Sequence, residues 1–155
     1  MKKALFWVGG LFILGSMAFG ILKKEELLAS GRTVLLRLAP RDPRSLMQGD
    51  YMDLRYEIAR KLPKKIPRVG KIVLRLDGNQ VGHFVSLYEQ KPLGPDQVLL
   101  RYRRRGNSIH LGAESFFFEE GQADRFSSAA YGELRVSPSG ESLLVGLRDD
   151  HLKKL

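Results

Sequence analysis

Residues Ala4 to Leu22 read ALFWVGGLFILGSMAFGIL, nineteen positions without a charge. As a helix rising about 1.5 Å per residue the run is about 28 Å long, close to the roughly 30 Å hydrocarbon core of a bilayer. It sets the layout of the whole chain: a membrane anchor, then one domain built from the residues beyond Leu22. Met1-Lys2-Lys3 gives the segment the basic start of a secretory signal, and Ala18-Phe19-Gly20 loosely matches a small-x-small cleavage site. Two features favour an uncleaved anchor over a cleaved signal. The run exceeds the ~7–15 apolar residues usual in signal peptides, and Ile21-Leu22 continue it past that site.

Lys2 and Lys3 on one side are balanced by Lys23 and Lys24 on the other, so the charge bias is nearly flat. The signal-like start favours a single pass through the inner (cytoplasmic) membrane, amino terminus inside and domain extracytoplasmic. Gly9, Ser16 and Gly20 share one helix face at seven- and four-residue spacing. Small residues at that spacing let a second transmembrane helix approach closely.

After the anchor about 133 residues remain, enough for one core without staples. There is no cysteine, which removes disulfides, thiolate metal sites and cysteine nucleophiles. Net charge is +9, of which Lys2 and Lys3 belong to the anchor. On a membrane-tethered domain such a balance means attraction to anionic headgroups or envelope polymers, or simple solubility.

The most turn-dense stretch is Pro40-Arg-Asp-Pro-Arg-Ser-Leu-Met-Gln-Gly-Asp-Tyr-Met-Asp-Leu-Arg-Tyr56. Asp42-Pro43 suits a type I turn, and proline keeps a helix from running through it. From Asp50 the pattern turns to period two: Met52, Leu54, Tyr56 and Ile58 alternate with Tyr51, Asp53, Arg55 and Glu57, which predicts a half-buried strand. The carboxylate of Asp50 at its mouth suits turn amides, Arg41 or Arg44. The corner reads either as a docking or ligand site or as a structural corner whose charges satisfy buried backbone.

Gly49-Asp50-Tyr51-Met52-Asp53-Leu54-Arg55-Tyr56 fits Gly-Asp-Tyr-x-x-Leu-x-Tyr, and in this the chain resembles the GDYXXLXY-motif family of bacterial membrane-anchored proteins. The Pro-x-Asp-Pro-Arg lead-in and Phe117-Phe118-Glu119-Glu120-Gly121 are similar to that family too, as is the layout of one hydrophobic segment before a small domain. The resemblance implies a companion of multi-spanning membrane proteins and brings no catalytic residue. Arg41, Asp42, Arg44, Asp50 and Tyr51 are the residues of the docking reading of the corner, and Gly49, Leu54 and Tyr56 complete the motif.

Around the corner the sequence predicts mostly strands: Thr33 to Ala39, Lys71 to Leu76, Val81 to Tyr88, Gln97 to Arg104, Ser108 to Leu111, Leu134 to Ser137 and Ser142 to Leu147. Asp77-Gly78-Asn79-Gln80 is a hairpin signal. Lys23 to Gly31 predicts a short helical extension, and Gln122 to Tyr131 a short helix packing Ala123, Phe126, Ala129 and Ala130. Phe116-Phe117-Phe118 is expected to be mostly buried. The tail from Arg148 is expected to fray.

Arg60 to Lys71 reads as a mobile basic loop, and Arg101-Tyr-Arg-Arg-Arg105 as a solvated edge with Leu99, Arg101 and Arg103 outward. Lys61, Lys64, Lys65, Arg68, Lys71, Arg101, Arg103 and Arg105 are the candidate contacts for anionic lipid or envelope polymer. No platform of several aromatics accompanies the arginines, so nucleic acid is not expected.

His83, His110 and His151 are isolated, and Asp42, Asp50 and Asp53 fit no calcium-loop spacing and have arginines beside them. No metal and no cofactor is expected. Ser45-Leu-Met-Gln-Gly-Asp is faintly similar to the serine region of membrane-bound signal peptidases, but lacks its proline and a placed lysine.

The expected protein is therefore mainly β: an N-terminal transmembrane helix, then a small antiparallel sandwich or partly open barrel of seven or eight strands with one short helix. Its expected divisions are an anchor at 1–22, a juxtamembrane helical linker at 23–32, the β-rich domain at 33–148 and a charged tail at 149–155. The expected role is non-catalytic, an accessory subunit docked through the anchor and the Pro40–Tyr56 corner on a multi-spanning membrane protein. The alternatives are a binding module for anionic lipid or envelope polymer, and a hydrolase with an unrecognised site.

Overall fold

A computed structural model describes residues 2–39, 51–63 and 65–155, with positions 2–6, 8 and 123 described in backbone only. The expected turn at Pro40 to Pro43 lies outside the described residues, as do Arg41, Asp42, Arg44, Gly49, Asp50 and Lys64.

Helix α1 (Lys2–Ser30) carries the apolar run and the charged extension as one continuous rod. It stops at Gly31, whose amide donates to the Leu27 carbonyl at 2.9 Å. Strand β1 (Arg32–Arg37) starts at the next residue. Among the described residues no helix is long and apolar enough to cross a membrane; the side chains at 4–6 and 8, within the apolar run, stand outside them.

The chain continues through β2 (Tyr51–Asp53), α2 (Glu57–Lys61), β3 (Val69–Leu76), β4 (Gly82–Leu87), β5 (Gln97–Arg105) and β6 (Ser108–His110). It closes with β7 (Ser115–Phe117), α3 (Ala123–Phe126), β8 (Tyr131–Val136) and β9 (Ser142–Arg148). These strands form antiparallel sheets ordered β1-β8-β9, β2-β7 and β4-β3-β5-β6.

Single backbone bonds stitch the sheets together. Leu35 donates to Gln80 at 2.9 Å and Arg101 to Gly140 at 2.8 Å, while Leu54 donating to Glu114 at 2.5 Å extends the β2–β7 pair by one position. The result is a mainly β domain whose antiparallel sheet curls into a half-barrel. Inside it Val34, Leu36, Ile72, Leu74, Leu100, Leu134 and Leu147 are each 0% exposed. Each such side chain contributes about 1.5–3 kcal/mol when taken from water.

The β3–β4 hairpin forms where Asp77-Gly78-Asn79-Gln80 predicts it. Oδ1 of Asp77 accepts the amides of Asn79 and Val81, both at 2.9 Å, and Gln80 takes φ 63°.

Several expectations are corrected. The strand from Asp50 to Ile58 is only β2, and Glu57 to Lys61 is helical. Glu57 and Lys61, four apart, pair at 2.8 Å, an arrangement that favours a helical turn over a strand. The period-two burial survives the change, with Met52, Leu54, Tyr56 and Ile58 exposed by only 1, 2, 2 and 6%. On α2, Ile58 shares the inner face with Leu62, one turn on.

Arg60 to Lys71 is not a free loop, because Leu62 and Ile66 are buried in the core and Arg104 Nε holds the Ile66 carbonyl at 3.1 Å. Nor is β5 an edge at its arginines, since it pairs with β3 on one side and β6 on the other. Leu99 points outward but is buried: the turn through Gly140 lies over it, with φ +88° and room for no Cβ, which would stand 3.2 Å from that of Leu99.

Phe117 is 73% exposed, because β7 is a two-stranded ribbon's partner and only alternate residues can face the core. The short helix is a single turn, α3, and Tyr131 already belongs to β8. The tail is folded back rather than frayed. Asp149 Oδ1 accepts the amides of His151 and Lys153, both at 2.9 Å. Leu155 donates to Leu147 at 3.0 Å and packs on the core. The described residues thus hold nine strands and three helices, against the seven or eight strands and one domain helix expected.

Candidate functional site: a motif crossing and a basic cleft

The motif residues within the described chain fall into two groups. Leu54 and Tyr56 are interior, each 2% exposed. Tyr56 donates its hydroxyl to the Ala113 carbonyl at 2.5 Å, bridges to Leu38 through its backbone, and lays its ring on Gly132. A Cβ at Gly132 would sit 3.0 Å from that ring and its oxygen. Next to it Ala39 donates to the Arg55 carbonyl at 2.6 Å. The motif's second half is therefore a crossing that ties the end of β1, the β6–β7 connection and β8 together. Burial, with the charge of Glu114 adding, pushes the Tyr56 phenol well above its ordinary range.

Tyr51 behaves differently. It is 39% exposed and stands opposite Phe117 in the β2–β7 register. Their ring centroids are 5.9 Å apart, so the ribbon shows solvent an aromatic pair.

Beside the crossing is a cavity of about 600 Å³ lined by Leu54, Tyr56, Arg60, Arg104, His110 and Glu114. Its two carboxylates, Asp53 and Glu114, are already engaged, Asp53 with Arg55 at 3.7 Å. Glu114 accepts the amides of Leu111 and Gly112 and lies 3.9 Å from His110 Nδ1. Arg104 is likewise spent on the Ile66 and Gly106 carbonyls. This is the chemistry of a braced turn.

A second cavity, of about 400 Å³, opens at the foot of α1 between Lys24, Arg101, Arg103, Arg105, His110 and Glu141. The strand register explains how it forms. Lys71 stands directly opposite Arg101, and Arg103 opposite His110, so these side chains share the outer face of the four-stranded sheet. Glu141 lies between Lys23 at 3.4 Å and Arg101 at 3.7 Å.

The structure thus divides the basic residues singled out in the sequence, Lys64 aside, which lies outside the described residues. Arg101, Arg103 and Arg105 line the cleft together, and Lys71 stands across the strand pair from Arg101 without lining it. Lys61 is paired with Glu57, while Lys65 and Arg68 are exposed and do not line this cleft. Lys24 and Glu141 were not foreseen, since nothing local in the sequence ties the helix end to β5. Among the described residues no group of His, Asp and Glu is placed to hold a metal ion. His83 pairs with Asp77 at 3.1 Å.

These features define a class: a small curled β domain, braced by a Leu-x-Tyr crossing and carrying a basic cleft where a long apolar helix enters it. The chain belongs to the GDYXXLXY family, whose sequence model matches residues 13–147, from the middle of α1 to the end of β9. No curated protein and no solved structure matches it.

Proposed function

We propose that this chain is a single-pass inner-membrane protein with its β domain outside the cytoplasm, acting as a non-catalytic accessory to a multi-spanning membrane protein. The observation that carries the reading is the surface of α1. Leu11, Phe12, Ile13, Leu14, Met17, Phe19, Ile21 and Leu22 are exposed by 57 to 78%, on every side of the helix, while Leu27, five residues further on, is 5% exposed against the domain. A stretch of helix apolar all round and this exposed among the described residues is matched by lipid or by other helices. The space beside Gly9 and Gly20 is open, which suits close packing of a partner helix. The Tyr51–Phe117 pair supplies a second, extramembrane contact in this reading, since aromatic residues are favoured at interface centres.

The test is purification of the tagged, full-length protein in mild detergent, with identification of what accompanies it. A polytopic partner in fixed ratio, lost when residues 4–22 are replaced by a generic apolar helix, supports the role. Full recovery of the partner with the replaced helix and with Phe117→Ser removes both proposed contacts and the reading with them. Extraction of the wild-type chain from membranes by alkaline carbonate removes the anchor itself.

A further inference from the structure

We propose that the cleft at the foot of α1 seats the phosphate of an anionic phospholipid from the leaflet that the helix leaves. The inference rests on the anchor reading above and adds a site and a ligand to it. Three observations converge. Lys24 lies two residues beyond Leu22, about 3 Å further along a helix axis, whereas each headgroup layer is about 5–7 Å deep. The cleft therefore stands at the level of lipid phosphates.

Its charge is unbalanced as well. Lys24, Arg101, Arg103 and Arg105 line it against two carboxylates. Glu141 is shared between Lys23 and Arg101, and Glu114 is turned to backbone amides. Among the described residues no acidic side chain pairs with Lys24, Arg103 or Arg105.

The third observation is a local rule broken. Lys71 and Arg101 are like charges directly across a strand pair, an arrangement that destabilises a sheet. Two further arginines continue the row at Arg103 and Arg105, and among the described residues only Arg101 of the three has a carboxylate in reach, at 3.7 Å. A phosphate diester accepts hydrogen bonds from guanidinium groups in a planar fork and neutralises the row. Its acyl chains then lie along the exposed apolar face of α1, which fixes the ligand as a lipid rather than a soluble anion.

The experiment uses full-length protein in neutral detergent, titrated with phosphatidylglycerol or with phosphatidylcholine of the same chain length, and read by native mass spectrometry. Wild-type protein retains phosphatidylglycerol preferentially, one molecule per chain, and salt weakens the preference. With Arg103→Gln and Arg105→Gln together, affinity for phosphatidylglycerol falls about thirtyfold, at about 1 kcal/mol for each basic residue lost. Lys24→Gln alone gives about a fivefold loss. The pair Lys61→Gln and Lys65→Gln, away from the cleft, leaves affinity unchanged.

Equal retention of the two lipids, or a preference surviving the double arginine change, overturns the inference. So does displacement of phosphatidylglycerol by equimolar inorganic phosphate, which marks a site for a free anion. Carbonate extraction of each variant is read alongside. A chain that stays in the membrane but shows no lipid preference overturns the cleft alone, whereas a chain released by carbonate overturns the anchor.

Discussion

Replacing Tyr56 by phenylalanine removes a single oxygen atom from the centre of the domain. That oxygen donates to the Ala113 carbonyl at 2.5 Å, and its residue is 2% exposed, so water does not take its place. A buried neutral hydrogen bond contributes about 0.5–1.5 kcal/mol net, and an acceptor left without its donor costs more. A loss of about 1–2 kcal/mol is expected. In a domain of about 125 residues each kcal/mol moves Tm by about 4 °C, which predicts a fall of about 4–8 °C. Circular dichroism melts of the full-length proteins in detergent measure it. Tyr51→Phe, on the exposed ribbon, is the control and stays within about 0.5 kcal/mol of wild type.

The same residue predicts a dependence on pH. Burial raises the Tyr56 pKa in the native state, while in the unfolded chain the phenol ionises near 10. Its contribution is fully present below about pH 10 and is lost as the pH rises further, because only the unfolded chain gains by ionising. The loss approaches about 1.4 kcal/mol per pH unit. The advantage of wild type over Tyr56→Phe therefore closes at about pH 11. Equal melting at neutral pH, or a gap unchanged in alkali, refutes the view that this hydroxyl braces the crossing.

Arg148→Ala strands the carboxylate of Glu133, which is 7% exposed and bonded to Arg148 Nε at 2.9 Å. It also frees the tail, held by Arg148 at the Leu152 carbonyl; a loss of about 2–3 kcal/mol in urea unfolding is expected. His83, bonding to Asp77, holds that carboxyl below its usual range. The stability Asp77 adds over Asp77→Asn is present above the ordinary carboxylate pKa and fades as the pH falls through the lowered one. With the side chain 41% exposed, the gap amounts to about 1–2 °C in Tm near neutrality and vanishes in acid melts. Phe117→Ser leaves Tm within about 2 °C and, on the role proposed above, lowers recovery of the proposed partner in the pull-down.

Much of the fold is legible in the chain because burial follows side-chain alternation. Met52, Leu54, Tyr56 and Ile58 announce their burial even where the backbone changes from strand to helix. Asp77-Gly78-Asn79-Gln80 fixes its hairpin through contacts within five residues. What escapes local reading is decided by neighbours distant in sequence. Leu99 is outward-facing by parity, and only the turn through Gly140 covers it. Phe117 sits in an apolar triplet, yet β7 has a single partner strand and one face to hide. The tail folds back because Asp149 gathers its amides, which charge composition does not reveal. Of the site, the arginines at 101, 103 and 105 are visible as one face of a strand. Their junction with Lys24 depends on where a helix seventy-odd residues earlier is planted, and no local pattern carries that.

Between α1 and β1 there is only Gly31, and the Leu27 side chain is sunk in the domain. The helix and the half-barrel therefore turn together like the handle and head of a tool. In a bilayer a helix of 29 residues, about 43 Å long, accommodates changes in membrane thickness by tilting. A tilt of about 10° swings a point about 30 Å above the surface by about 5 Å. A flexible linker absorbs such motion, but this junction passes it on. If α1 is the anchor proposed above, membrane thickness becomes a lateral displacement of the domain by about 5 Å, the scale of a side-chain contact.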